Sequence, residues 1–194
     1  DAFFALTAWE SKQSKMLAGF RFKGTPESAE KVVGQWRVRA QEKAPALKRE
    51  TVTYQQHQIE VVTRDAITIT TVYDGNWFFA ANDLAALKML LDRADRRVTD
   101  SANTLAADND FIAASKHIPA SYAARVYARV DRYLQKLTQE LPQDTTGSEQ
   151  FSLLRQIRSV SAATTFDKGR VRDVSFVAMP KITDVGDLNR ESLN

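Results

Sequence analysis

Cysteine is missing from all 194 residues. That excludes disulfide frameworks, thiolate zinc sites, iron–sulfur clusters and cysteine nucleophiles. Histidine is nearly missing, with only His57 and His117, and no His-Glu-x-x-His zinc motif occurs. The seven glycines form neither Gly-x-Gly-x-x-Gly nor a phosphate loop with its lysine, so the usual nucleotide sites are not expected. No Gly-x-Ser-x-Gly nucleophile elbow is present. No run of 18 apolar residues occurs, so the chain offers no helical membrane span of its own.

One-sided charge is lacking too. Lys and Arg number 27 against 24 Asp and Glu, a net charge of +3. The bases are interspersed with acids, as in Arg93-Ala94-Asp95-Arg96-Arg97, where a nucleic-acid surface would gather them in a patch. No nucleic-acid partner is expected.

What is present suits a globular chain. At this length roughly 70% of the surface of the unfolded chain can be buried, so no covalent staple is needed. The expected unit is a single α+β domain over residues 1–194. The loop Pro142 to Gly147, rich in Pro, Asp, Thr and Gly, is the place for a subdomain break. The start at Asp1 and the polar tail from Thr183 to Asn194 suggest a processed or excised part of a longer chain.

The centre of the chain carries the strongest local signals. Residues 50–54, 57–63, 66–73 and 76–81 are rich in Val, Ile, Thr and aromatics and read as strands. Their links are short, and Asp74-Gly75 favours a tight hairpin, so the neighbours must be antiparallel. Asn82-Asp83 then supplies an N-cap for a helix with Leu84, Leu87, Leu90 and Leu91 on its core side.

The flanks extend this pattern. Residues 2–16 suggest a short helix with Phe3, Phe4, Leu6 and Trp9 as apolar positions, followed by a strand over 17–23. Thr25-Pro26-Glu27 starts a helix to about Lys43, with Ala29, Val32, Val33, Trp36 and Ala40 as its buried stripe. Further helices are expected over 108–117, from an Asp131 cap to Leu141, and over 148–158. Tyr122 to Val130 reads as a strand. Residues 159–166 and 170–179 should form a last hairpin through a three-residue Asp167-Lys168-Gly169 turn. The fold class is therefore α+β, a mainly antiparallel sheet with amphipathic helices on one face.

Candidate chemistry is sparse. Asp108-Asn109-Asp110 lacks the remaining ligands of a calcium loop and reads as helix capping. Phe20-Arg21-Phe22-Lys23 alternates in the manner of a half-buried strand, which outweighs base stacking. His57 should begin a strand, and His117 should sit at a helix end, where a positive imidazole offsets the dipole. Neither is expected to hold a metal. Asp173 stands between arginine-rich neighbours in a predicted central strand, where an acid needs a partner. Asp173, Arg172, Tyr127 and Arg129 are the residues from which a ligand-binding or catalytic site would be assembled.

Several phrases together resemble a known family. They are Leu17-Ala18-Gly19-Phe20-Arg21-Phe22-Lys23-Gly24, the stretch from Asp74-Gly75-Asn76-Trp77 through Asp83 to Arg93, Leu105-Ala106-Ala107-Asp108-Asn109-Asp110-Phe111, and Phe166-Asp167-Lys168-Gly169-Arg170-Val171-Arg172-Asp173. These are similar to segments of large bacterial envelope proteins classed as a domain of unknown function, over roughly residues 15 to 180. The resemblance implies a periplasmic or envelope location, often with a membrane anchor outside this chain, and implies no catalytic residues; no motif in the sequence gives reason to expect a cofactor. From the residues alone, the cytoplasm stays open as a location.

Two functions follow as expectations. The first is a non-catalytic exported domain that binds protein surfaces or itself through an exposed sheet edge. The second is an enzyme or small-ligand carrier using the four residues named above.

Overall fold

The computed structural model describes residues 1–8, 14–43, 46–97, 104–140 and 154–179. Within them lie nine strands and four α-helices. Every strand pair is antiparallel, so the expected α+β class holds. The chain forms two compact units, Asp1–Thr99 and Asp100–Asn194. The break expected at 142–147 lies outside the described residues.

The first unit contains β1 (Ala2–Ala8), β2 (Lys15–Arg21), α1 (Pro26–Lys43), β3 (Lys48–Tyr54), β4 (His57–Arg64), β5 (Ile67–Asp74), β6 (Trp77–Ala81) and α2 (Leu84–Ala94). Its six strands run in the order β1-β2-β6-β5-β4-β3. Tyr54↔His57, Arg64↔Ile67 and Asp74↔Trp77 close the central meander, each through two intervening residues. Gln55, Asp65 and Gly75 take positive φ in these turns, as the twist of tight hairpins requires.

Side-chain alternation divides the sheet into two faces. Leu17, Ile59, Val61, Val72, Phe79 and Ala81 point to one face and pack with Leu87 and Leu91 of α2. Burying each large side chain of that cluster contributes about 1.5–3 kcal/mol. Asp83 caps α2 by accepting a hydrogen bond from the Ala86 N–H at 3.1 Å, as the sequence leads one to expect. The opposite face carries Phe20, Tyr73 and Phe78, with Phe78 5.2 Å from Phe20 and 5.0 Å from Tyr73 between ring centres. There α1 is held through Glu30, which accepts from the Tyr73 hydroxyl at 2.8 Å, and through Arg37, 2.7 Å from Glu60. The helical cover expected on one face is thus shared between two.

Two local expectations in this unit are corrected. Residues 2–8 form an edge strand, not the start of a helix; pairing from Ala2↔Phe20 to Leu6↔Met16 overrides the helical reading of a short apolar run. On α1, only Ala29 and Val33 of the expected stripe are buried. Trp36 is 56% exposed, and Val32 and Ala40 are exposed as well. The docked line runs through Ala29, Val33 and Arg37, four residues apart, so the helix turns a partly polar stripe to the sheet.

The second unit contains α3 (Asn109–Ser115), β7 (Ala124–Ala128), α4 (Val130–Glu140), β8 (Ser159–Asp167) and β9 (Arg170–Ala178). Its strands run β7-β8-β9. Asp108 caps α3 by accepting from the Phe111 N–H at 2.9 Å, in line with the capping reading. The β8–β9 turn has two residues, not three, because Asp167↔Arg170 are themselves paired. Lys168 and Gly169 both take positive φ, the requirement of a type I′ turn. Helix α4 begins at Val130, so Asp131 lies inside its first turn and is not its cap. The helix expected over 148–158 lies mostly outside the described residues.

Candidate functional site

Three polar assemblies stand out, two in the first unit and one in the second. The first is built around His57, which opens β4 and is only 5% exposed. Carrying the β4–β5 register three residues past Glu60↔Thr71 sets His57 opposite Asp74, on the face covered by α2. Helix α2 ends over this corner and delivers Asp95, its C-cap. His57 Nε2 lies 2.9 Å from Asp95 Oδ2. His57 Nδ1 lies 4.0 Å from Asp74 Oδ1.

A second layer fixes the acids. Gln56 Nε2 donates to Asp95 Oδ2 at 3.1 Å, and Arg97 pairs with the same carboxylate. Arg97 Nε also donates to Asp92 at 2.9 Å, while the Tyr54 hydroxyl donates to Asp92 at 2.9 and 3.0 Å. The hydrogen bond from His57, helped by Arg97, holds Asp95 below the usual carboxylate range. The hydrogen bonds from Arg97 and Tyr54 do the same for Asp92. The Tyr54 phenol is pushed up, chiefly by its hydrogen bond to Asp92. The opposite directions have one cause, since a hydrogen bond from the phenol to the carboxylate favours the charged acid and the neutral phenol.

The second assembly lies between α1 and the sheet. A groove of about 640 Å³ is lined by Glu30, Arg37, Glu60 and Tyr73, among others. Arg37 bridges the acids, at 2.5 Å from Glu30 and 2.7 Å from Glu60. Burial and the hydrogen bond to Glu30 hold the Tyr73 phenol well above its ordinary value.

The third assembly contains two residues picked from the sequence. Tyr127 and Arg129 are two apart and share a face, so both reach Asp108: the Tyr127 hydroxyl donates at 3.3 Å and Arg129 Nη1 at 2.9 Å. Arg129 also grips Asp131 with a two-pronged contact at 2.9 and 2.5 Å and lies 3.2 Å from Asp110. Arg158 reaches Asp110 from the other side at 3.2 Å. The Arg129–Asp131 fork keeps Asp131 low and raises the guanidinium further above its already high range. Burial opposes ionisation of Asp108, but the Phe111 N–H and Arg129 prevail and lower it.

Arg172 and Asp173 do not join this group. Strand β9 is an edge strand among the described residues, not a central one, and both side chains are exposed. Asp173 takes its hydrogen bond from Thr164, its cross-strand partner, at 2.6 Å. An edge acid stays wet and has no need of the arginine a buried one would require. His117, two residues past α3, stacks on Phe176 with ring centres 4.1 Å apart.

The class defined by this architecture is an α+β protein of two antiparallel units. Comparison with protein-family models, curated proteins and solved structures finds no significant match, so the resemblance to an envelope family gains no support there. Among the described residues no helix is long and apolar enough to cross a membrane.

Proposed function

We propose that the chain is a non-catalytic interaction domain that associates with a second copy of itself through the β1 edge. The observation that carries this reading is the edge itself. Strand β1 reads Ala-Phe-Phe-Ala-Leu-Thr-Ala, with no charge and no proline, and pairs on one side only among the described residues. Phe4 is 68% exposed and Leu6 48%. Edges are normally blunted by charge, by proline or by a covering segment. The other edge of the same sheet, β3, is blunted by Lys48, Arg49 and Glu50.

The backbone supports the same reading. The Arg21 N–H donates to the Asp1 carbonyl at 2.7 Å, which turns the odd-numbered residues of β1 toward β2 and leaves Ala2, Phe4 and Leu6 with outward N–H and C=O groups. An antiparallel pair of β1 strands centred on Ala5 would set Phe4 opposite Leu6 of the second copy, twice over. That is an isologous, self-complementary contact. Sedimentation equilibrium tests it: the chain should be dimeric and Phe4→Lys monomeric. A wild-type chain that stays monomeric at about 100 μM, a concentration well above that needed by specific interfaces, overturns the reading. The envelope location belongs to this proposal and is supported by the sequence resemblance alone.

A second reading, small-ligand binding, is favoured by the groove between α1 and the sheet. Glu30, Glu60 and Tyr73 converge there around Arg37, the mixture of a concave wall and a few placed polar groups that ligand sites use. Thermal-shift screening of small ligands against the wild type and Tyr73→Phe tests it. A hit that Tyr73→Phe weakens supports the reading, and a screen without hits counts against it.

A further inference from the structure

We propose that His57 and Asp74 bind a divalent transition-metal ion, with Asp95 orienting the imidazole. Asp95 is an ionised acceptor, so the 2.9 Å contact to Nε2 requires the proton on Nε2. The other ring nitrogen, Nδ1, is the one directed to the Asp74 side. Nδ1 and Asp74 Oδ1 face each other at 4.0 Å. That is beyond hydrogen-bond distance and about 0.6 Å wider than the roughly 3.4 Å between two ligands of a tetrahedral ion bound at about 2.0–2.2 Å, a gap that a turn of the partly exposed Asp74 side chain would close.

Four features go with this arrangement. His57, Asp74 and Asp95 offer ligand atoms that all lie within 4.8 Å of one another. A carboxylate accepting the far ring N–H of a ligating histidine is the common second layer of metal sites, since it fixes the tautomer and makes the ligand more basic. Here Asp95 has that place and is itself held by Gln56 and Arg97. The local charge also favours a dication: Asp74, Asp92 and Asp95 outnumber Arg97 and Lys88, whose Nζ sits 4.9 Å over the Tyr54 ring. The side chain of Asp74 is 30% exposed, which gives an ion an entry path and leaves positions for water. Mixed imidazole and carboxylate ligation suits Zn²⁺, Co²⁺ or Ni²⁺ better than Ca²⁺, which prefers an all-oxygen shell.

The chain carries its own control. His117 is the one other histidine and belongs to the second unit. The full chain is titrated with Zn²⁺ alone while the imidazole signals are followed by NMR. The His57 ring should shift and saturate while the His117 ring stays in place. Asp74→Asn changes no hydrogen bond described for the folded unit and should weaken binding by about tenfold or more. It should also abolish the rise in unfolding temperature that Zn²⁺ gives the wild type. No change at His57 up to about 1 mM Zn²⁺, a response centred on His117, or equal binding by Asp74→Asn would overturn the site.

Discussion

Phe3 lies over Gly19, its partner across the β1–β2 pair. A Cβ at Gly19 would stand 2.6 Å from Phe3 Cε1 and equally close to Phe79 Cδ1. The glycine therefore makes room for an aromatic stack in which Phe3, Trp77 and Phe79 have neighbouring ring centres 5.6–6.1 Å apart. Gly19→Ala should destabilise the first unit by about 1–3 kcal/mol, as overpacking does in a filled core. The urea midpoint of unfolding measures it, with little change expected in the slope.

Acid should unfold the first unit through Asp92 and Asp95. The folded-state pKa of each is depressed, Asp95 mainly by the hydrogen bond from His57 and Asp92 mainly by that from Arg97. A depressed carboxylate adds stability that is complete above its unfolded value, about 3.9, and is lost as pH falls through the lower folded value. The contribution of these two groups should thus be flat from pH 7 to about 5 and fall below about 4. Asp95→Asn should be less stable at neutral pH and lose less on acidification. Denaturant midpoints across the pH range check both.

The unequal legibility of the first unit has local causes. The β3–β6 meander and the Asp83 cap are written in neighbouring residues: β-branched runs, two-residue links and a capping aspartate. Strand β1 is not, because Ala2–Ala8 could serve either periodicity and only its pairing with β2, across a gap in sequence, decides. Helix α1 shows the same limit. Its apolar positions Val32 and Trp36 look like a core stripe, yet the helix docks through Glu30 and Arg37, whose partners Tyr73 and Glu60 lie in distant strands.

The clusters obey the same rule. Tyr127 and Arg129 could be picked out as an aromatic and a base two apart on a strand. Their acids, Asp108, Asp110 and Asp131, come from the starts of two helices. His57, Asp74 and Asp95 have no motif spacing, and a strand register plus the return of α2 unites them. The hint available in the sequence was that two of the three sit beside hairpin turns and the third ends a helix.

Arg129 should be the most sensitive position of the second unit. It is 19% exposed and faces three carboxylates. Arg129→Met leaves those acids without their shared partner and should cost about 2–4 kcal/mol, at or below the range for breaking a fully buried pair. Arg129→Lys keeps the charge but cannot form the fork to Asp131, so it should recover only part of the loss. Hydrogen exchange of the β7–β8 amides, compared across the three proteins, gives the order wild type, Lys, Met.

The edge of β1 decides whether the domain pairs with itself. The absence of cysteine makes Ala5→Cys the sole thiol of the chain. Antiparallel pairing centred on that residue would place the two copies' Cα atoms about 4.5 Å apart, as in a non-hydrogen-bonded strand pair, and a disulfide can close over that distance. Mild oxidation of Ala5→Cys should therefore give a covalent dimer at low protein concentration, while Thr53→Cys on the charged β3 edge should give little. Failure of Ala5→Cys to cross-link, or equal cross-linking from both edges, would contradict self-association through β1.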